Sequence, residues 1–467
     1  MLMTIKSFDK LARAFTGRLS LALGVSMFRL PLMLLAFFVS FLPLLVCSCA
    51  STEPEYSATE PAYDPDRLIL EFEANDSLDD DSRLIYSILL SNLGRYEESR
   101  TQLKTLIEKD KSNFKAWYNL ALLENVAGNT QMRDLALEAA IELDDSRAEV
   151  WALRGTLAKE DSNWEEAATY LNRALEIDPE YVEALTAMAW VKAKLGQMEE
   201  ALRLLDRAVE LDAEYTYARV DRSRINVALG NYSTAERDLD KAIELEPNVQ
   251  WHYLDRARIR LRHLMDYDGA LTDLERVEEL NPVNFFALVY LAGLHDEQRR
   301  FSKARDYYLR VVELRPEYFW AYMPLGKLEW IVGEYSESEK WFAKAAEQDT
   351  EDYTLRLMLA LSKFRLGKVD EANRLFLQIL QNLEKGKTAY EVVRFCAERN
   401  SDYYAVNSLN RETNEPLRER LWYYMGAIYE TENSASAAIA VYKRLEMRTG
   451  EMEYDLAWAA LKKMRDR

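Results

Sequence analysis

Trp117 and Trp151 stand 34 residues apart, and the spacing they define runs through most of the chain. Units start at residues 80, 114, 148, 182, 216 and 250 and, after one extra residue, at 285, 319 and 353. The eighth residue of each is Ser87, Ala121, Gly155, Ala189, Ser223, Ala257, Ala292, Gly326 or Ala360, always one of the three smallest types. Those types fill about a fifth of ordinary positions, so the run arises by chance on the order of once in a million. A period of this length belongs to repeat architectures, in which one unit cannot bury its apolar face alone and stacking supplies the core. That excludes most globular folds.

Other positions keep the frame. The twentieth is Ser99, Ala167, Ala201, Ala235, Ala270, Ala304, Ser338 or Ala372, with Arg133 the one large exception. Pro179, Pro247, Pro282 and Pro316 close four units, where a ring without an N–H stops a helix. Gly94, Gly128, Gly196, Gly230, Gly333 and Gly367 mark a turn in mid-unit. Segments such as ALGNYSTAERDLDKAIELEPN (228–248) and EEAATYLNRALEIDPEY (165–181) resemble the tetratricopeptide repeat. The resemblance implies an all-α, right-handed α-solenoid of about nine to ten helix-turn-helix units. Nine units are expected over 80–386, with the extra residue lengthening the turn near Leu264–Asp266. Residues 387–418 break the register and are expected to form an irregular helical insertion. A further unit and a C-terminal capping helix are expected over 419–467.

The first fifty residues carry a different signal. Lys6, Lys10, Arg13, Arg18 and Arg29 precede an apolar run from Leu30 to Val46, the layout of a secretory signal over 1–48, with Met27 as a second start. The run contains Pro31 and Pro43 and is shorter than the roughly 20 residues a spanning helix needs. It ends in Val46-Cys47-Ser48-Cys49-Ala50, which resembles the bacterial lipobox and implies acylation of Cys49. Residues 49–79 are expected to be the lipidated cysteine, a Ser/Thr/Glu/Pro-rich tether and a short lead-in, LILEFEAND, helical or extended. Cys396, set in VVRFCAER, is then the one unmodified thiol and is expected to be a core residue.

With 79 acidic and 60 basic residues the net charge is -19, which argues against nucleic-acid binding, since that needs basic density. The histidines, His252, His263 and His295, form no metal-ligand spacing, and no phosphate loop or nucleophile elbow is present. No cofactor, no metal and no enzymatic activity are expected. The resemblance implies instead a ligand face made by positions 2, 5, 9, 12 and 13 of the first helices. Those positions hold Trp190, Lys194, Tyr217, Arg224, Trp251, Arg258, Arg262, Phe286, Trp320, Lys327 and Trp330. Arg258 and Arg262 are one helical turn apart; with Arg224 and Trp251 they make the densest basic-aromatic stretch. Such a face suits a protein or peptide ligand of acidic, aromatic character, gripped by charge-assisted hydrogen bonds and stacking. The carboxylate clamp known in this family needs lysine at position 5, and none of the units has one. The expectation is a lipid-anchored scaffold of the bacterial cell envelope, with a surface adhesin or a self-associating structural protein as alternatives.

Overall fold

A computed structural model describes residues 69–70, 72–74, 78–400, 402–432, 434–445 and 451–466. The signal segment, Cys49 and the tether lie outside the described residues. The chain divides into two compact units, one ending at Pro247 and the other running from Asn248 to Arg467. No strand occurs among the described residues.

The N-terminal unit consists of five helical hairpins: α1 (Asp80–Asn92) with α2 (Tyr96–Lys109), α3 (Phe114–Val126) with α4 (Thr130–Leu143), α5 (Ala148–Glu160) with α6 (Trp164–Ile177), α7 (Val182–Lys194) with α8 (Met198–Leu211), and α9 (Thr216–Ala228) with α10 (Tyr232–Leu245). The lead-in is helical at Ile69, Leu70, Phe72 and Glu73; Ile69 is buried and the Phe72 ring lies 5.4 Å from that of Tyr86.

The C-terminal unit continues with α11 (Gln250–Ile259) and α12 (Tyr267–Leu280), α13 (Phe285–Glu297) and α14 (Phe301–Leu314), α15 (Tyr322–Val332) and α16 (Tyr335–Gln348), and α17 (Tyr353–Arg365) and α18 (Val369–Gln381). It ends in α19 (Thr388–Glu398), α20 (Tyr403–Arg411), α21 (Glu415–Thr431), α22 (Ala435–Tyr442) and α23 (Met452–Arg465). The segment 387–418, expected as an irregular helical insertion, contains the helical hairpin α19–α20. Its Ala405 and Leu409, four apart, form the buried stripe that holds α20 down.

Small residues set the hairpin spacing. A β-carbon placed on Gly155 would come within 2.6 Å of the Leu171 side chain, and one on Gly426 within 2.5 Å of the Tyr442 ring. Where serine replaces alanine the hydroxyl is satisfied across the hairpin: Ser99 Oγ donates to the Ser87 carbonyl (2.7 Å) and Ser338 Oγ to that of Gly326 (2.9 Å). Each of the nine first helices ends in a left-handed residue, at the fifteenth position six times as glycine and otherwise as Ser162 or Arg299, and at the sixteenth as Met265 in the unit with the extra residue. The extra residue of the sixth unit does not lengthen the turn. It is absorbed within the first helix, whose last turn widens to a π-helix over Arg260–Leu264.

Candidate partner-binding faces

The face carried by positions 2, 5, 9, 12 and 13 can be followed in each unit separately. In the N-terminal unit Trp190 is half-buried against Trp164, ring centroids 5.1 Å apart, with the ammonium groups of Lys194 at 4.5 Å and Lys159 at 5.8 Å from the indole. Desolvation beside the ring lowers the Lys194 pKa. Tyr217 is exposed and packs on Tyr215 at 5.6 Å, while Arg224 is bound to Asp221 at 2.8 Å. Arg224 therefore belongs to a different compact unit from Arg258 and Arg262.

In the C-terminal unit α11 and α13 bring four of the expected residues together. Trp251 is half-buried on the core of this hairpin pair. The Arg258 guanidinium lies 5.4 Å from the Phe286 ring and is held by Asp255 at 3.0 Å. Arg262, exposed and within the π-turn, donates to the Tyr290 hydroxyl at 3.2 Å and meets no carboxylate among the described residues. Trp320 lies in a 3-10 turn, Phe319–Ala321, with its ring tilted on that of Phe319 at 4.6 Å.

Lys327 and Trp330 are not open ligand contacts. Both are buried, Lys327 because the C-terminal helix α23 lies against it. The Lys327 ammonium is held by Asp296 at 2.7 Å and by Asp455 of α23 at 3.0 Å. Burial alone would depress the Lys327 pKa, but the two carboxylates outweigh it and the net shift is upward. Asp455 also accepts from Arg299 Nε at 3.1 Å, so Asp296 is the less compensated acid; burial raises its pKa. Three residues on from Asp455, Trp458 stacks under the Arg299 guanidinium at 4.9 Å and edge-on to Phe301 at 5.8 Å. Trp330 packs on Tyr335 and Arg365. The helix expected to close the end of the array packs on the last hairpin, where Glu453 accepts from the Tyr424 hydroxyl of α21 at 2.7 Å, and also reaches α15, three hairpins earlier. Its carboxylate and indole were invisible as partners because sequence separation of 128 residues carries no register.

Cys396 is buried, and burial pushes its thiol pKa up to about 12, which leaves it an inert core residue. No group of three or more His, Cys, Asp or Glu side chains suited to a metal ion occurs among the described residues. No described helix is long and apolar enough to cross a membrane.

Three family models, each described as tetratricopeptide repeat, match residues 158–222, residues 88–131, 254–319 and 295–353, and residues 217–249. The chain carries tetratricopeptide repeats. Solved structures of such proteins are similar to it at low identity. The pilF protein of Pseudomonas aeruginosa is 18% identical, covering 45% of this chain and 94% of its own with a TM-score of 0.40. A tetratricopeptide repeat protein from Parabacteroides merdae is 19% identical, over 53% of this chain and 98% of its own, with a TM-score of 0.38. YrrB, described as having an unusual peptide-binding site, is 23% identical over 40% of this chain and 95% of its own, with a TM-score of 0.32. Likenesses this distant carry no functional statement. No curated protein sequence matches the chain.

Proposed function

We propose that the chain is a bacterial cell-envelope lipoprotein, acylated at Cys49, whose tetratricopeptide repeats hold a protein partner in a non-catalytic, scaffolding role. The observation that carries the binding part is the pairing of Arg258 with Phe286 and of Arg262 with Tyr290 on neighbouring first helices. Guanidinium groups fixed on aromatic side chains, one of them without a carboxylate partner, form a prepared site for an acidic ligand. The anchoring part rests on Val46-Cys47-Ser48-Cys49 after a basic and then apolar stretch, followed by the polar tether. In that arrangement the lipid fixes the address and the tether lets the repeats sweep a volume above the membrane.

Metabolic labelling with palmitate tests the anchor. Label that disappears in Cys49→Ser supports it, and label that persists in Cys49→Ser overturns it. Affinity capture from solubilised envelopes tests the scaffold. A partner recovered with the natural chain and lost on reversing both charges, Arg258→Glu with Arg262→Glu, supports the reading; recovery indifferent to the reversal contradicts it.

A further inference from the structure

α13 contains Gly293 at the ninth position of its unit, in mid-helix and with ordinary φ. Glycine there weakens a helix, and the usual packing reason is missing: an added β-carbon would meet nothing within 4 Å. Gly155, Gly326 and Gly426, by contrast, each face a side chain that a β-carbon would strike. The same position one unit before is Arg258 and one unit after is Lys327. A bare stretch of helix therefore lies between the Arg258–Phe286 pair and the Lys327 ammonium, on a face where backbone can be approached closely. The inserted residue of the sixth unit acts on the same place. Taken up as a π-turn, it leaves Arg262 on the Tyr290 hydroxyl of α13. Two carboxylates of this face are engaged, Asp255 on Arg258 and Asp296 on Lys327.

The chain itself shows what such a face accepts. One step further along, α23 lays a carboxylate and an indole at i and i+3 on cations and rings of α13–α15: Asp455 on Lys327 and Arg299, Trp458 on Arg299 and Phe301. We infer that the patch of Arg258, Arg262, Phe286 and Tyr290 with Gly293 as its floor docks a partner helix of the same chemistry, presenting an acid and an aromatic side chain one turn apart. The acid is received by Arg262 and Arg258, the aromatic ring by Phe286 and Tyr290, and the missing side chain of Gly293 lets the incoming backbone approach. The resident α23 occupies the adjacent stretch, so the site ends at Lys327 and has a defined length.

The inference rests on the proposed scaffold role and is tested separately from it. The probe is a fluorescently labelled synthetic peptide with the sequence of residues 451–466, which carries Asp455 and Trp458, titrated by anisotropy against the full folded chain. Saturable binding is expected, weakened at least 10-fold in Arg258→Glu/Arg262→Glu and in Gly293→Leu. A control peptide with the Asp455 and Trp458 equivalents changed to Asn and Ala should bind at least 10-fold more weakly. Circular dichroism melts of the variants must show natural or higher Tm; Gly293→Ala, which adds only a methyl, is expected to raise Tm while weakening the probe several-fold. Absence of saturable binding to the natural chain overturns the inference, as does equal affinity in Gly293→Leu and the charge reversal. An envelope partner that is still captured by a well-folded Gly293→Leu chain leaves the scaffold standing and removes this site.

Discussion

At Ser162 and Arg299 the chain adopts φ of 63° and 55°, a region in which a β-carbon crowds the following carbonyl. Six sister positions use glycine and were readable from the sequence as turns, but nothing in the residues at 162 or 299 announces the same geometry. Only the common fold demands it. Ser162→Gly is therefore expected to stabilise the chain by about 0.5–1 kcal/mol, seen as a higher urea midpoint. An unchanged or lower midpoint would count against the shared turn. His295 provides a second residue-scale test. It is buried, both ring nitrogens lack a hydrogen-bond partner, and the ring stacks on Tyr307 at 5.5 Å. Burial, aided by Lys303 and Arg300, lowers its pKa from the ordinary 6.5. Below that value the unfolded imidazole takes up a proton that the folded one refuses, so stability falls as pH drops through this window. His295→Phe keeps the stack and should remove that part of the loss. Parallel pH profiles of the two proteins from pH 7 to 5 would contradict this.

Between hairpins the structure repeats a polar latch that the apolar frame did not reveal. The twenty-first residue of one unit pairs with the eleventh of the next: Arg100 with Glu124, Arg305 with Glu329 at 2.9 Å and, with signs reversed, Lys363 with Glu339 at 2.6 Å. Glu124 and Glu329 are fully buried on one side, so each carboxylate depends on its cation. Arg100→Met is expected to cost about 2–3 kcal/mol, because it leaves an unpaired buried charge. Arg100→Met with Glu124→Leu should cost clearly less than the single change, since both desolvation terms vanish together. Additive losses in chemical denaturation would show that the two side chains do not act as a pair. The helix frame was legible because small residues at positions 8 and 20 leave a strict period. The latch was not, since Arg, Lys and Glu at exposed-looking positions are ordinary on any helix surface. The first helix of the hairpin α19–α20 was expected, but the second was not: Asn407, Ser408 and Asn410 lie within it, and its helicity rests on a few buried contacts such as Ala405 and Leu409.

For the molecule as a whole, the expected ligand face is the scale at which sequence and structure diverge most. The family resemblance implied eleven residues on it. In the C-terminal unit Trp251, Arg258, Arg262 and Phe286 stand together on α11 and α13, whereas Lys327 and Trp330 are sealed. For Lys327 the reason is tertiary: α23 returns to a position fixed by Lys327, Arg299 and Trp458, which no local pattern encodes. Asp455→Asn in the full chain should speed amide exchange at least 10-fold in α15 and α23 and leave α11 and α12 unchanged, since repeats contact mainly their neighbours. Uniform acceleration would contradict a local lock. The most direct test of the binding claim is photo-crosslinking in cells, with p-benzoylphenylalanine in place of Phe286 and, as control, in place of the exposed Leu135 of α4. A discrete protein adduct at 286 that is absent at 135 and lost with Arg258→Glu/Arg262→Glu is predicted; no adduct at 286, or the same adducts at both positions, would contradict it.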